Sequence, residues 1–248
     1  MSLAILARRA AQLGAPLDRE QIAGFELYRD ELLRWNRRVN LTSVTDPAAV
    51  EMRHFVDSIS CLVALRDLLA ERPTASVVDV GSGAGFPGLP LKIAVPSIRL
   101  TLLDSVGKKT AFLQYVVARL GLEGVTVLAG RAEELAHQPA LREQFDVALG
   151  RALAPLPALL ELCLPFVRLG GRLVANRRGD LAAQQAEAEL AARTLGGRFR
   201  APVPVNLGPE LSGYGLVVAD KIGPTPERYP RRPGVPAKRP ILAGNPSP

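Results

Sequence analysis

Residues 76–88 read Ser76-Val77-Val78-Asp79-Val80-Gly81-Ser82-Gly83-Ala84-Gly85-Phe86-Pro87-Gly88. Val77, Val78 and Val80 form the short apolar run of a buried parallel strand, and three glycines follow at once. Pro87 suits the first turn of a helix, where its missing N–H costs nothing, and residues 88–95 can carry that helix onward. The stretch is therefore strand, glycine turn, helix. Glycines serve where the backbone must take positive φ or where a ligand lies against it.

Two ligand classes use this device, and Gly83, Gly85 and Gly88 also satisfy the GxGxxG spacing of dinucleotide sites. Asp79, two positions before the first glycine, discriminates between them. A pyrophosphate at the helix N-terminus would be repelled by a carboxylate there. S-adenosylmethionine has no phosphate and carries a sulfonium and an amine, so an acid is favourable; the alternative for Asp79 is a turn or capping acid. The next strand, expected over residues 99–103, ends in Asp104, followed by Ser105 and Val106. Asp104 can take both hydroxyls of a ribose, which both ligand classes possess.

With 248 residues, 48% of them hydrophobic, the chain can bury one sizeable core and a small appended unit. No apolar run approaches the roughly 20 residues of a membrane span, and no secretory signal pattern opens the chain, so a cytoplasmic protein is expected. Cys61 and Cys163 lie far apart in apolar contexts, with His54 and His137 the two histidines; no metal-ligand spacing exists, and reduced, structural thiols are expected. A net charge of +7 points to a polyanionic partner such as nucleic acid.

Residues 1–70 read as a helical extension. Asp18 and Gln21 form a capping-box pattern, and Ile22, Phe25, Tyr28, Leu32 and Trp35 recur at helical spacing, giving a helix to about Arg38. Trp35 reads as core. Arg34, Arg37 and Arg38 beside it form either a solvated helix end or an RNA phosphate contact. Asp46 and Pro47 start a short helix to about Arg53; a lone His54 after it reads first as a capping residue. From 71 to 223 strands alternate with helices, with strands expected at 125–129, 145–149, 172–175, 198–205 and 215–222. The last two lack room for a crossover helix and should pair antiparallel. The expected fold is α/β: a Rossmann-like class I methyltransferase with a mostly parallel seven-stranded sheet and one antiparallel strand. Residues 224–248 are rich in proline and carry Arg228, Arg231, Arg232, Lys238 and Arg239. They read as an extended basic arm, or as a disordered tail that orders on RNA.

Ligands of open α/β sheets sit outside the carboxyl ends of the strands. This gathers Asp79 to Phe86, Asp104 to Val106, Ala132, Glu133 and Arg151 around one crevice. An adenine amino acceptor commonly meets an Asn-Pro-Pro-Tyr type segment after the fourth strand, where this chain has Gly150-Arg151-Ala152-Leu153-Ala154-Pro155. Carbon-5 of a pyrimidine needs an activated cysteine, while Cys163 lies between leucines. Guanine N7 carries its own lone pair and needs neither nucleophile nor general base. Other ring nitrogens and small-molecule acceptors pass the same test, and a non-catalytic RNA-binding assembly factor would keep the same fold.

Six ordered motifs add specificity: Arg34-Trp35-Asn36 with Asn40-Leu41-Thr42-Ser43-Val44, Arg53-His54-Phe55-Val56-Asp57-Ser58, residues 79–91, residues 102–113, Gly130-Arg131-Ala132-Glu133 with Phe145-Asp146, and Arg151-Ala152. Together they resemble the RsmG or GidB family, the bacterial 16S rRNA guanine-N7 methyltransferases. The resemblance implies S-adenosylmethionine as donor and N7 of a guanine in the decoding-region loop of 16S rRNA, naked or in a small-subunit precursor, as acceptor. It implies a donor site lined by Gly81, Phe86, Asp104, Ser105, Val106, Ala132, Glu133 and Arg151, to which the reading of the glycine turn adds Asp79, Gly83 and Gly85. It brings Asn40, His54 and Asp57 near methyl transfer, with Arg151 a further candidate there; separately, a monomer without a metal or a membrane partner is expected. Tyr229 to Gly234 resembles an ending found in many members. Where relatives carry Lys-Gly after the fifth strand, this chain has Asn176-Arg177-Arg178-Gly179, which replaces a point charge with planar forks and makes Arg177 and Arg178 candidates for RNA.

Overall fold

A computed structural model describes residues 3–205, 208 and 211–243. Helix α1 (Ala4–Gln12) precedes α2 (Arg19–Asn36), which the capping box starts as expected: Gln21 N–H donates to Asp18 Oδ1 at 2.8 Å and Asp18 N–H to Gln21 Oε1 at 2.9 Å. Phe25, Tyr28 and Leu32 bury the inner face of α2. Trp35 packs on Phe112 and Tyr115, so its role is core. Asn36 ends the helix by accepting from the N–H groups of Leu41 and Thr42, which turns the chain.

Asp46 caps α3 (Pro47–Val50) through Ala49 N–H. The helical path does not stop near Arg53. It continues through one π-helical turn, Glu51–Val56, into α4 (Asp57–Ile59), and α5 (Leu62–Glu71) follows. Buried Glu51 accepts the N–H of Leu6 at 2.7 Å, tying this turn to α1. His54 therefore lies within a helical run and is not a cap.

The remaining elements alternate: β1 (Ser76–Val80), α6 (Gly88–Ala94), β2 (Arg99–Asp104), α7 (Gly107–Arg119), β3 (Val125–Ala129), α8 (Ala132–Leu135), β4 (Phe145–Arg151), α9 (Leu156–Cys163), β5 (Val167–Arg178), α10 (Leu181–Thr194), β6 (Gly197–Phe199), β7 (Val203–Pro204) and β8 (Tyr214–Lys221). The sheet order is β3-β2-β1-β4-β5-β8-β6, parallel from β3 to β5, with β8 antiparallel to both neighbours. This is the expected seven-strand path with one reversed strand. The strand expected over 198–205 is divided into β6 and β7, both paired with β8, because Pro202 between them has no N–H to donate. Alternate side chains fill opposite faces: Val77, Leu102 and Val147 join the core under α2 and α5 to α7, while Val78, Leu103 and Ala148 join that under α9 and α10.

Strand β5 is longer than residues 172–175. Asn176 to Arg178 continue it, and Asn176 pairs with Arg151 on one side and Leu216 on the other. The segment after β8 also differs from expectation. As far as residue 243 it is not an extended arm, since Tyr229 is 2% exposed and residues Val235–Lys238 form a short helix, α11; the arm expected over 244–248 lies outside the described residues. Its partner is Glu161, a fully buried carboxylate on α9 that Arg231 neutralises at 2.6 Å. Proline count and charge gave no sign of an acid 70 residues earlier that needed a counter-ion.

Candidate active site

The turn after β1 has Gly81, Gly83 and Gly85 at φ of +70°, +59° and +100°, where side chains are strained. Gly83 N–H donates to Asp104 Oδ2 and Val106 N–H to Asp104 Oδ1, each at 2.8 Å, so Asp104 fastens the two loops at the ends of β1 and β2 together. Gly130 N–H donates to the Asp104 carbonyl, which brings Ala132 and Glu133 at the start of α8 to the same crevice. Ser105 and Val106 are exposed beside it.

Asp79 takes the capping role and keeps a second capacity. Its Oδ2 accepts the N–H of Gly88 at 2.8 Å, at the start of α6, and a Cβ on Gly88 would lie 2.8 Å from that oxygen. Its Oδ1 is buried without a hydrogen-bond partner. Burial pushes the Asp79 carboxyl up to about 7, against the lowering pull of Gly88 N–H and Arg151. Asp79, Asp104 and Glu133 make an acceptor-rich crevice that fits a cationic, hydroxyl-bearing ligand and would repel a pyrophosphate.

A cavity of about 490 Å³ lies at the carboxyl ends of β4 and β5, and two of the residues lining it, His54 and Arg151, pack against Phe86 of the glycine turn. The rings of His54 and Tyr28 stack on Phe86 at centroid distances of 4.5 and 5.3 Å, and the Arg151 guanidinium lies 4.9 Å from its centroid. Arg151 Nη1 donates to Asp57 Oδ2 and to the Arg53 carbonyl, both at 3.0 Å. Asn176 Nδ2 donates to the Asp57 carbonyl and to its Oδ1, and Asn176 Oδ1 accepts from Cys61 Sγ–H. Burial raises the Asp57 carboxyl from its ordinary value, opposed by Arg151 and Asn176. Burial, with the Arg151 charge beside it, brings His54 down to about 4, so the imidazole is neutral at pH 7. Its Nε2 lies 2.8 Å from Thr42 Oγ1 and its Nδ1 3.1 Å from the Arg53 carbonyl. Both thiols are buried and pushed well above the usual cysteine range by desolvation.

The residues expected near methyl transfer thus divide. His54, Asp57 and Arg151 come together, whereas Asn40 is exposed in the loop after α2 and the cavity is lined instead by Val44. Tyr214, whose ring lies 5.5 Å from Arg178, and Asn176 also line the cavity; only their pairing across β5 and β8 reveals them. Arg177 lines it but is committed to Gln184 Oε1 and the Ala154 carbonyl. Among the other cations proposed for RNA, Arg37, Arg38, Arg232, Lys238 and Arg239 are exposed. Arg34 pairs with Glu31, and Arg228 lies over the Tyr229 ring. Arg231 is corrected: its guanidinium is engaged by Glu161.

Sheet order, reversed penultimate-edge strand and glycine turn define a Rossmann-like methyltransferase. The fold is similar to that of a SAM dependent methyltransferase from Aquifex aeolicus, with a TM-score of 0.51 and 18% identity, covering 74% of this chain and 97% of that one. A citrinin polyketide synthase CMeT domain superposes with a TM-score of 0.53 at 12% identity over 68% of this chain and 53% of that one. Residues 21–205 match the GidB family, described as rRNA small subunit methyltransferase G, and the chain belongs to that family. Proteins named ribosomal RNA small subunit methyltransferase G are 46% identical in Roseiflexus castenholzii, over 96% of this chain and 99% of the relative, and 41% identical in Dehalococcoides mccartyi, over 93% and 96%.

Proposed function

We propose that this methyltransferase moves the methyl group of S-adenosylmethionine to N7 of one guanine in the decoding-region loop of 16S rRNA, in line and without a covalent enzyme intermediate. The observation that carries this reading is the engagement of the histidine and the acid at the cavity, with the thiol behind them. His54 is neutral with both ring nitrogens in hydrogen-bond contact, Asp57 is tied to Arg151 and Asn176, and Cys61 is a buried thiol bonded to Asn176. His54, Asp57 and Cys61 are thus poorly placed to act as general base or nucleophile, which suits an acceptor that brings its own lone pair.

The bound donor supplies an electrophilic sulfonium methyl. The chain's own work is positioning. Asp104 is placed to receive ribose hydroxyls, the Asp79 side offers negative charge toward the cationic end, and Ala132 and Glu133 border the adenosine. Phe86 forms the wall shared by both ligands. Arg53, Arg151 and Arg178 bring positive charge to the acceptor mouth, where an RNA phosphate would enter. No helix among the described residues is long and apolar enough to cross a membrane.

The test is incubation of purified protein with labelled S-adenosylmethionine and 16S rRNA or small subunits from cells lacking the activity, followed by N7-selective chain cleavage. One cleaved guanine in the decoding-region loop is the expected result. Label transfer without such cleavage would move the acceptor to another atom, and no transfer to either substrate would remove the catalytic reading.

A further inference from the structure

The segment following β8 crosses the ends of α8 and α9 as a strap. Its anchor is Arg231, whose backbone N–H, Nε and Nη2 donate to the Glu161 carboxylate at 2.8, 2.9 and 2.6 Å. Arg142 holds the strap's carbonyls at Thr225 and Tyr229, each at 2.8 Å, and the Pro230 carbonyl lies 2.8 Å from His137 Nε2 on the α8 side. Three residues beyond the anchor, Gly234 adopts φ +80° and its N–H donates to Glu133 Oε1 at 3.0 Å. Nothing lies within 4 Å of where a Cβ on Gly234 would stand, so space does not call for glycine there, but the backbone conformation does.

We infer that residues 229–234 position the donor crevice, with Gly234 and Arg231 as positioning residues that set the Glu133 carboxylate. The inference rests on the reading above that Glu133 borders the donor. Glu133 sits in the first turn of a four-residue helix that could not hold its own geometry in isolation. The loop preceding that helix is bonded to Asp104 through Gly130. A carboxylate that accepts a fixed amide N–H loses rotamer freedom before the ligand arrives, which lowers the ordering cost of binding. This strap thereby acts on the small donor rather than on RNA, and Arg231, its most buried cation, is withdrawn from the basic surface.

The experiment is a double-mutant cycle on the full-length chain, read by calorimetric binding of S-adenosylmethionine. Gly234→Ala and Arg231→Gln are each made in the native and the Glu133→Ala backgrounds. Gly234→Ala leaves the Glu161 pair intact, so it remains informative if Arg231→Gln does not fold. Either variant should weaken donor binding about fivefold, the size of one hydrogen bond, with RNA affinity unchanged. That loss should vanish once Glu133 is absent. Unchanged donor affinity, the same loss in both backgrounds, or a parallel loss of RNA binding would each overturn the inference. Failure of the unmodified protein to bind the donor would instead remove the reading on which the inference stands.

Discussion

The proposed donor crevice gathers carboxylates, Asp79, Asp104 and Glu133, each bonded to at least one backbone N–H. The cavity beyond Phe86 gathers guanidiniums, Arg53, Arg151, Arg177 and Arg178, two of them bonded to backbone carbonyls. Under the proposed function, one chain would present acceptors to a cationic small molecule and donors to a polyanion on the two sides of Phe86. The ring of Phe86, packed on His54 and Arg151, stands between the acids and the guanidiniums.

The sharpest way to break this division is Asp104→Ala. Losing charge-assisted contacts should weaken donor binding about 100-fold while RNA affinity stays within about twofold, measured by calorimetry and filter binding. Equal losses would show that the two regions are one site. On the other side, Arg151→Gln leaves Asp57 buried without its cation and shifts the wall at Phe86. Single-turnover methyl transfer should fall about 30-fold with donor affinity nearly unchanged.

Protons offer a smaller probe. His54, lowered to about 4, resists protonation in the fold, so it contributes stability that is full above about pH 6.5 and lost as pH falls toward 4. Asp79, raised to about 7, holds its proton in the fold, so its contribution is full below about pH 4 and lost as pH rises to 7. Between these limits the two oppose each other. Relative to the unmodified protein, Asp79→Asn should make stability rise more steeply with pH, and His54→Gln should make it rise less, each by up to about 1.4 kcal/mol per pH unit in denaturant unfolding. Donor binding should tighten from pH 6 to about 7 and then level, and Asp79→Asn should flatten that profile. The smallest effect is expected for Arg178→Gln, which should lower the slope of log affinity for RNA against log salt by about 1 and leave donor binding alone.

The two regions were also unequally legible. The donor crevice is written in consecutive residues, so Gly81, Gly83, Gly85 and Asp104 follow from turn chemistry and strand ends. The cavity is assembled from the 40s loop, the π-helical turn and the ends of three strands. Asn176 and Tyr214 join it because β5 pairs with both β4 and β8, a relation that local pattern does not carry. Pro202 announced the break between β6 and β7, yet the alternation of Phe199, Ala201, Val203 and Val205 runs across it. The strap escaped reading because composition counts prolines and charges, whereas its fold depends on Glu161 and Glu133, each brought near by topology.

The turn at Glu51–Val56 has a wider helical ladder than its neighbours, equivalent to one residue slipped into an otherwise continuous screw. On a regular helix each residue advances about 100°, so such a slip rephases everything downstream by nearly a third of a revolution. His54 and Asp57 face Arg151 from within and just beyond that slip. The acceptor face is consequently addressable by length alone: removing a single residue from this segment would swing its groups out of register while leaving their identities untouched.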